Sequence, residues 1–237
     1  VLAVSRHMGK LASLMNRYPG SLRWQSADLR TQEGRAQVVT RARELGGFNV
    51  LINAAGVNRF ALLDQLDEQA LDELLDINLK APLQLTRACL PLLREQPKAL
   101  VVNVGSTYGS IGYPGYASYC ASKFALRGFS EALRRELADT PVNVLYVAPR
   151  ATRTSMNSSA ATALNQALKV GMDDPVYVAK AVLQAVQSER SELYLGWPEK
   201  MFVRLNGILP GLVDRALRKQ LPLIRRHIGS HIKEPSK

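Results

Sequence analysis

Tyr119 and Lys123 stand four residues apart in Tyr119-Cys120-Ala121-Ser122-Lys123, and Ser106 lies thirteen residues before the tyrosine. On a helix, positions four apart share one face, so the phenol and the ammonium are expected to be neighbours. A fixed ammonium lowers the pKa of a phenol whose ordinary value is about 10. A serine hydroxyl brought to the same point can hold a carbonyl oxygen while the phenol gives or takes its proton. These residue types suit the reduction of a carbonyl or the oxidation of an alcohol. The pair alone is weak evidence, since about one chain of this size in three carries Tyr-x-x-x-Lys by accident. The surrounding elements must carry the case.

Those elements alternate. Val1–Ser5, Leu22–Ala27, Asn49–Asn53, Ala99–Gly105, Val142–Val147 and Leu193–Gly196 read as strands. Met8–Arg17, Gln32–Leu45, Glu68–Leu93, Ser118–Ala138 and Pro175–Ser188 carry apolar residues at helical spacing. The runs at Asn49 and Ala99 are apolar on both faces, as strands between two helix layers must be. The pattern predicts an α/β fold: a doubly wound parallel sheet of the Rossmann type, in three α/β/α layers with right-handed crossovers. Val1 already lies inside a strand, and no Gly-x-x-x-Gly-x-Gly turn follows any strand. In such sheets the first strand is central and its glycine-rich turn cradles a cofactor pyrophosphate. The chain therefore reads as starting at the second strand, with the first strand and its turn missing.

Several segments fall at the carboxyl ends of these strands, where open α/β sheets bind ligands. Asn53-Ala54-Ala55-Gly56 has side chains small enough for a ligand to approach the backbone, or is an ordinary turn. Ser106 follows Val101–Gly105 and could equally be a turn or capping residue. Asn78 interrupts a helical pattern in which asparagine has modest propensity, so it is exposed or held for a reason. Asp28 and Leu29 follow a strand, where Asp28 could simply cap the next helix. Cys120, adjacent to Tyr119, points about 100° away on a helix and reads as a packing residue. Trp24 and Trp197 likewise read as structural.

The order of these segments, from Arg6 through Asp28, Asn53-Ala54-Ala55-Gly56, Asn78, Ser106 and Tyr119-x-x-x-Lys123 to Pro149 and Thr154, resembles the short-chain dehydrogenase/reductase family. The resemblance reaches to about residue 200 and departs at the missing glycine-rich turn and at Arg150, where glycine is usual. It implies an NAD(P)-dependent oxidoreductase acting on a ketone, aldehyde or secondary alcohol by hydride transfer. Tyr119 would be the general acid or base, Ser106 the carbonyl-oxygen donor, and Asn78 the holder of a relay water. Lys123 would bind the nicotinamide ribose and depress the Tyr119 pKa. The cofactor would lie against Ser5, Arg6, Asp28, Leu29, Asn53, Ala54, Ala55, Tyr119, Lys123, Pro149 and Thr154. NAD enzymes usually carry an acid at the first visible strand end, whereas Val4-Ser5-Arg6-His7 offers a cation suited to a 2′-phosphate. The expectation is NADP(H) rather than NAD(H). A homodimer or homotetramer follows from the family, and a catalytically inactive cofactor-binding or membrane-associated scaffold of the same fold is the alternative.

Composition narrows the rest. At 237 residues, with 46% hydrophobic and 22% charged residues, the chain suits one soluble α/β domain. Its two cysteines make no disulfide framework, and its three histidines lack metal-ligand spacing. Low cysteine usage and the absence of a signal peptide point to a cytoplasmic protein, possible also at the membrane periphery. Nine Lys or Arg against Asp214 and Glu234 lie between Lys200 and Lys237. Residues 1–200 are expected to form the NADP-binding and catalytic domain, and 201–237 a basic amphipathic helical extension broken near Gly207 and Pro210. That extension packs on the domain or a second subunit, or lies on an anionic membrane surface. Nucleic acid is not expected, because no binding motif accompanies the charge. The small and apolar residues of Ala151–Asp174 favour a lipophilic substrate.

Overall fold

In the computed structural model, residues 1–9 and 11–231 are described. The elements run β1 (Leu2–Ser5), α1 (Leu11–Arg17), β2 (Arg23–Ser26), α2 (Gln32–Glu44), β3 (Val50–Asn53), α3 (Glu68–Leu75), α4 (Ala81–Arg94), β4 (Ala99–Val104), α5 (Ala117–Glu136), β5 (Val142–Ala148), α6 (Ser159–Ala167), α7 (Pro175–Gln187), β6 (Glu192–Tyr194), α8 (Glu199–Ile208) and α9 (Pro210–His231). All strand pairings are parallel, β1 with β2 and β3 through β4 and β5 to β6. The expected three-layer α/β/α sandwich is therefore the observed one. Its sheet is in two groups: no ladder joins β1 to β3 among the described residues, and Ile52 on β3 is 53% exposed.

Two apolar clusters account for the layers. Val101, Val142 and Val144 pack with Val38 of α2, Leu85, Cys89 and Leu93 of α4, and Leu133 of α5 on one face. Val102, Leu145 and Val147 pack with Ala185 of α7 and Leu193 on the other. Successive strand residues point to opposite faces, so a strand covered by helices on both sides must be apolar throughout. The β4 sequence Ala-Leu-Val-Val-Asn-Val meets that demand except at Asn103. Asn103 Oδ1 accepts from Asn53 Nδ2 at 2.8 Å, and Asn103 Nδ2 donates to Ser130 Oγ at 2.9 Å. These bonds satisfy a polar group that would otherwise be costly to bury.

Helix starts follow local chemistry. The Thr31 hydroxyl accepts from Gly34 N–H at 3.0 Å to cap α2, Asp67 caps α3, and Asp174 precedes Pro175 at the start of α7. The cap of α2 is thus Thr31 and not Asp28. The helix expected over Glu68–Leu93 is broken: a π-helical turn, Asp76–Lys80, separates α3 from α4. Such widened turns arise where a side chain draws the backbone out of its ladder, and Asn78 sits within this one. Helix α6 arises in a segment to which no element was assigned, with Ser158 as its cap.

The tail forms two helices broken at Leu209, as its Gly and Pro suggested. Helix α8 begins at Glu199, two residues before the expected start of the extension at 201. Ile224 and Ile228 of α9 are buried against Leu164 of α6, with Phe60 and Tyr113 beside them. Residues 232–237 of the expected extension, and Lys10 of the first expected helix, lie outside the described residues. No described helix is long and apolar enough to cross a membrane.

Candidate active site

Ser106, Tyr119, Lys123 and Asn78 converge at the carboxyl end of β4. Ser106 ends the strand and caps a single 3₁₀ turn, Thr107–Gly109, its Oγ accepting from Tyr108 N–H at 3.1 Å. Beneath it, the Tyr146 hydroxyl of β5 donates to the Ser106 carbonyl at 3.2 Å and accepts from the Ser106 N–H at 3.4 Å. A Cβ on Gly105 would lie 2.3 Å from the Tyr146 ring, so only glycine lets the phenol reach this place. Tyr146 was not singled out from the sequence; a lone phenol in an otherwise apolar buried strand is the signal it left.

The pair on α5 has the predicted one-face arrangement, with Lys123 Nζ 5.7 Å from the Tyr119 ring centroid. Lys123 is only 4% exposed and donates to the Val104 carbonyl at 3.0 Å. Burial lowers its pKa to about 8. Tyr119 is in hydrogen-bond contact with the Ser106 side chain, which favours the phenolate, yet burial dominates and pushes the phenol up to about 12. The expected lowering of Tyr119 by Lys123 is therefore not met. The phenolate would lose its hydration, and the ammonium is engaged by a backbone carbonyl.

Asn78 Oδ1 accepts from Val57 N–H at 2.8 Å, and its Nδ2 donates to the Val57 carbonyl at 2.9 Å and to Ser122 Oγ at 3.2 Å. It ties the π-helical turn to the segment after β3 and to α5. A Cβ at Gly56 would stand 3.3 Å from Asn78 Oδ1, 3.7 Å from Met156 Cε and 3.8 Å from Lys123 Nζ. The Gly56 backbone therefore lies close against the ammonium, Asn78 and Met156, where a larger side chain would crowd them. A buried cation beside a closely approaching backbone is the chemistry that would hold a nicotinamide ribose. The pyrophosphate half has no glycine-rich counterpart among the described residues.

The remaining expected cofactor residues divide. Ala54 and Ala55 are exposed beyond β3, and Pro149 is joined to the serine turn by Thr107 N–H donating to its carbonyl at 3.1 Å. Thr154 is exposed on the segment that carries Met156. The Asn53 side chain instead turns inward, donating to Asn103 and to Thr86 Oγ1 at 3.0 Å. Leu29 packs against the core. Ser5 donates to the His7 carbonyl at 2.7 Å and accepts from the Trp24 indole at 2.9 Å. Arg6 is exposed at the end of β1. Asp28 is bound by Arg30 at 2.6 Å, whose hydrogen bonds hold the carboxyl at about 2.

Arg150 has a different role from the glycine it replaces. Its guanidinium meets Asp173 at 2.7 Å, the Trp197 carbonyl at 3.2 Å and Glu199 at 3.4 Å. It pins both ends of the segment over the site to the start of α8. Around Tyr119 stand further rings: Tyr108 stacks on Tyr113 at 5.1 Å and meets Tyr119 edge-on at 6.4 Å, while Tyr116 stacks on Phe60 at 5.0 Å and lies 6.2 Å from Tyr119. The arrangement is a partly buried proton donor, a hydroxyl beside it and an aromatic wall.

Two predictions follow from these groups. Tyr146→Phe removes both bonds to Ser106 and should cost about 1–3 kcal/mol in chemical denaturation; an unchanged midpoint would show that the clamp carries no energy. Lys123 has a folded pKa below its unfolded value, so between about pH 8 and 10.5 the unfolded state binds the extra proton. Its burial cost is full below that window and is relieved as pH rises through it. The stability of the parent relative to Lys123→Met should therefore rise by about 2–3 kcal/mol from pH 7 to 10. A pH-independent difference would show that Lys123 titrates normally.

The family model described as short chain dehydrogenase matches residues 1–165. Over 221 residues, 90% of this chain, it is 29% identical to an uncharacterized oxidoreductase, YxnA, of Bacillus subtilis, covering 60% of that protein. It is 33% identical over 144 residues to the 3-oxoacyl-(acyl-carrier-protein) reductase FabG of Vibrio cholerae, 59% of each. The matches thus span about three-fifths of the length of these curated relatives. A short-chain dehydrogenase from Streptomyces avermitilis superposes with a TM-score of 0.78 at 28% identity, covering 95% of this chain and 88% of the other. With its parallel α/β/α sandwich and its Ser106, Tyr119 and Lys123 gathered at one strand end, this chain belongs to the short-chain dehydrogenase family.

Proposed function

We propose that the protein is an NADP(H)-dependent oxidoreductase that reduces a lipophilic ketone or aldehyde to an alcohol. The observation that carries the reading is the partly buried Tyr119 phenol, in contact with Ser106 and beside the enclosed Lys123 ammonium. When bound beside Gly56 and Lys123, a nicotinamide would supply the hydride. Ser106 Oγ donates to the substrate oxygen and stabilises the charge that gathers there. Tyr119, raised to about 12, keeps its proton at neutral pH and delivers it to that oxygen. In the reverse direction the same residue acts as the base. Lys123 holds the ribose, and the Ser106 hydroxyl favours the phenolate left after transfer. Asn78 stations a water from which the proton is replaced.

The wall of Phe60, Tyr108, Tyr113 and Tyr116 supports an apolar substrate, since it offers large apolar faces beside the proton donor. Arg6 at the end of β1, without an acidic neighbour in Val4-Ser5-Arg6-His7, supports NADP(H). Among solved structures with this fold, one from Burkholderia cenocepacia is in complex with NADP and one from Burkholderia phymatum with NAD. A homodimer or homotetramer, and a peripheral contact of the C-terminal helices with a membrane, belong to the same reading. The retention of all four residues, Asn78, Ser106, Tyr119 and Lys123, favours an enzyme over an inactive scaffold.

Tyr119→Phe should reduce turnover at least about a hundredfold while nearly preserving cofactor affinity. Comparable turnover in the purified variant would remove Tyr119 from its role. At equal concentrations NADPH should be oxidised faster than NADH, and Arg6→Ala should abolish the preference. A parent protein that prefers NADH would sink the assignment of Arg6.

A further inference from the structure

Helices α8 and α9 meet in a corner made of Ile208, Leu209, Pro210, Gly211 and Leu212, with no polar side chain among them. Connections between helices run over the surface and are ordinarily polar. Here Ile208 is 76% exposed, Leu209 49% and Leu212 48%. Trp197 and Met201, at the start of α8, are 70% and 48% exposed. Met201 and Ile208 are seven residues apart and lie on one helical face, so the apolar strip continues from the corner along α8.

The inner sides of the same helices are firmly held. Val213, Ile224 and Ile228 are buried, Tyr113 donates to Gln220 Oε1 at 2.9 Å, and Asn206 Nδ2 donates to the Ser110 carbonyl at 3.0 Å. The hairpin is thus a fixed part of the domain that touches the aromatic wall on one side and projects an uncovered apolar corner on another. Cations flank that corner: Lys200 and Arg204 on α8, and Arg215, Arg218 and Lys219 on α9. None of them makes a salt bridge among the described residues. Of the nearby acids, Glu199 is engaged by Arg150, which leaves Asp214.

We propose that this corner is a membrane-docking surface for anionic phospholipid: Ile208, Leu209 and Leu212 enter the boundary between headgroups and acyl chains, Trp197 sits at the interface, and the flanking cations bind the headgroups. An apolar face bordered by cations is what interfacial binding requires. A second copy of the chain fits less well. A two-fold contact sets the same patch against itself, and five unpaired cations would then face five others. The proposal deepens the peripheral-membrane part of the reading above and does not depend on the redox chemistry. Its consequence for that chemistry is that the aromatic wall is held next to the phase in which lipophilic carbonyls dissolve.

The test is sedimentation of the full chain with unilamellar vesicles of phosphatidylcholine containing 30% phosphatidylserine, alongside vesicles of phosphatidylcholine alone. The expected result is binding to the mixed vesicles at low salt, weakened at least about tenfold without phosphatidylserine or at 0.5 M salt. Ile208→Glu with Leu212→Glu, at exposed positions that leave the fold intact by circular dichroism, should weaken it at least as much. With a Trp24→Phe background, Trp197 emission should shift to shorter wavelength on binding. NADPH-dependent turnover of a water-soluble ketone should be unchanged in the corner variants, which separates failure of docking from failure of the enzyme reading. No binding to mixed vesicles at low salt overturns the proposal, as does equal binding by the double variant. Dimerisation by light scattering that the double variant abolishes, without vesicle binding, would assign the corner to a second copy instead.

Discussion

Lys123 places an ammonium in the interior and gives it one carbonyl, that of Val104 at the end of the central strand β4. Taking a cation out of water is costly, and the depressed pKa of about 8 is the measure of that cost. Much of the architecture around the site is arranged about this one group. The bond to Val104 ties α5 to the end of β4. One turn earlier on the same helix, Tyr119 meets the Ser106 side chain. Gly56 has no Cβ on the side that faces the ammonium, and Asn78 holds that backbone at a set distance. A neutral side chain at 123 would satisfy packing while removing the charge to which the other groups are oriented.

Around that charge, polar groups are placed in pairs rather than singly. Tyr146 serves both backbone groups of Ser106, Asn78 serves both backbone groups of Val57, and Asn103 joins Asn53 to Ser130. Each pairing lets a buried amide or phenol retain its hydrogen bonds while crossing between elements. The rigidity matters because proton transfer and oxyanion stabilisation depend on donors already aimed at the reacting atoms. Arg150 extends the same logic outward. Where the family usually has glycine, this chain has a cation that binds two carboxylates, Asp173 and Glu199, from opposite sides of the segment over the site.

The aromatic wall connects this interior to the C-terminal helices. Tyr113 stacks on Tyr108 within the wall and also donates to Gln220 of α9. The tail is therefore part of the site's enclosure, although its sequence reads as a separate basic stripe. The apolar corner between α8 and α9 is the part of that stripe the domain leaves uncovered.

Tyr119-x-x-x-Lys123 was legible because helical periodicity alone puts the two on one face, and the alternation of apolar runs was enough to predict a parallel sheet between helix layers. The break at Gly207 and Pro210 was legible for the same local reason. Other features depended on contacts between residues far apart in the chain. Asn53 turns to Asn103, Asp28 turns to Arg30, and the expected helix is interrupted by a π-helical turn that contains Asn78. The sign of the Tyr119 shift is the clearest case. Residue spacing says that a lysine is near, but solvent exclusion and the partner of that lysine decide which effect wins. Sequence by itself determined which side chains share a face and a strand end, because period and order are local properties. Tertiary structure decided their hydration and their hydrogen-bond partners, because those depend on what the rest of the chain brings against them.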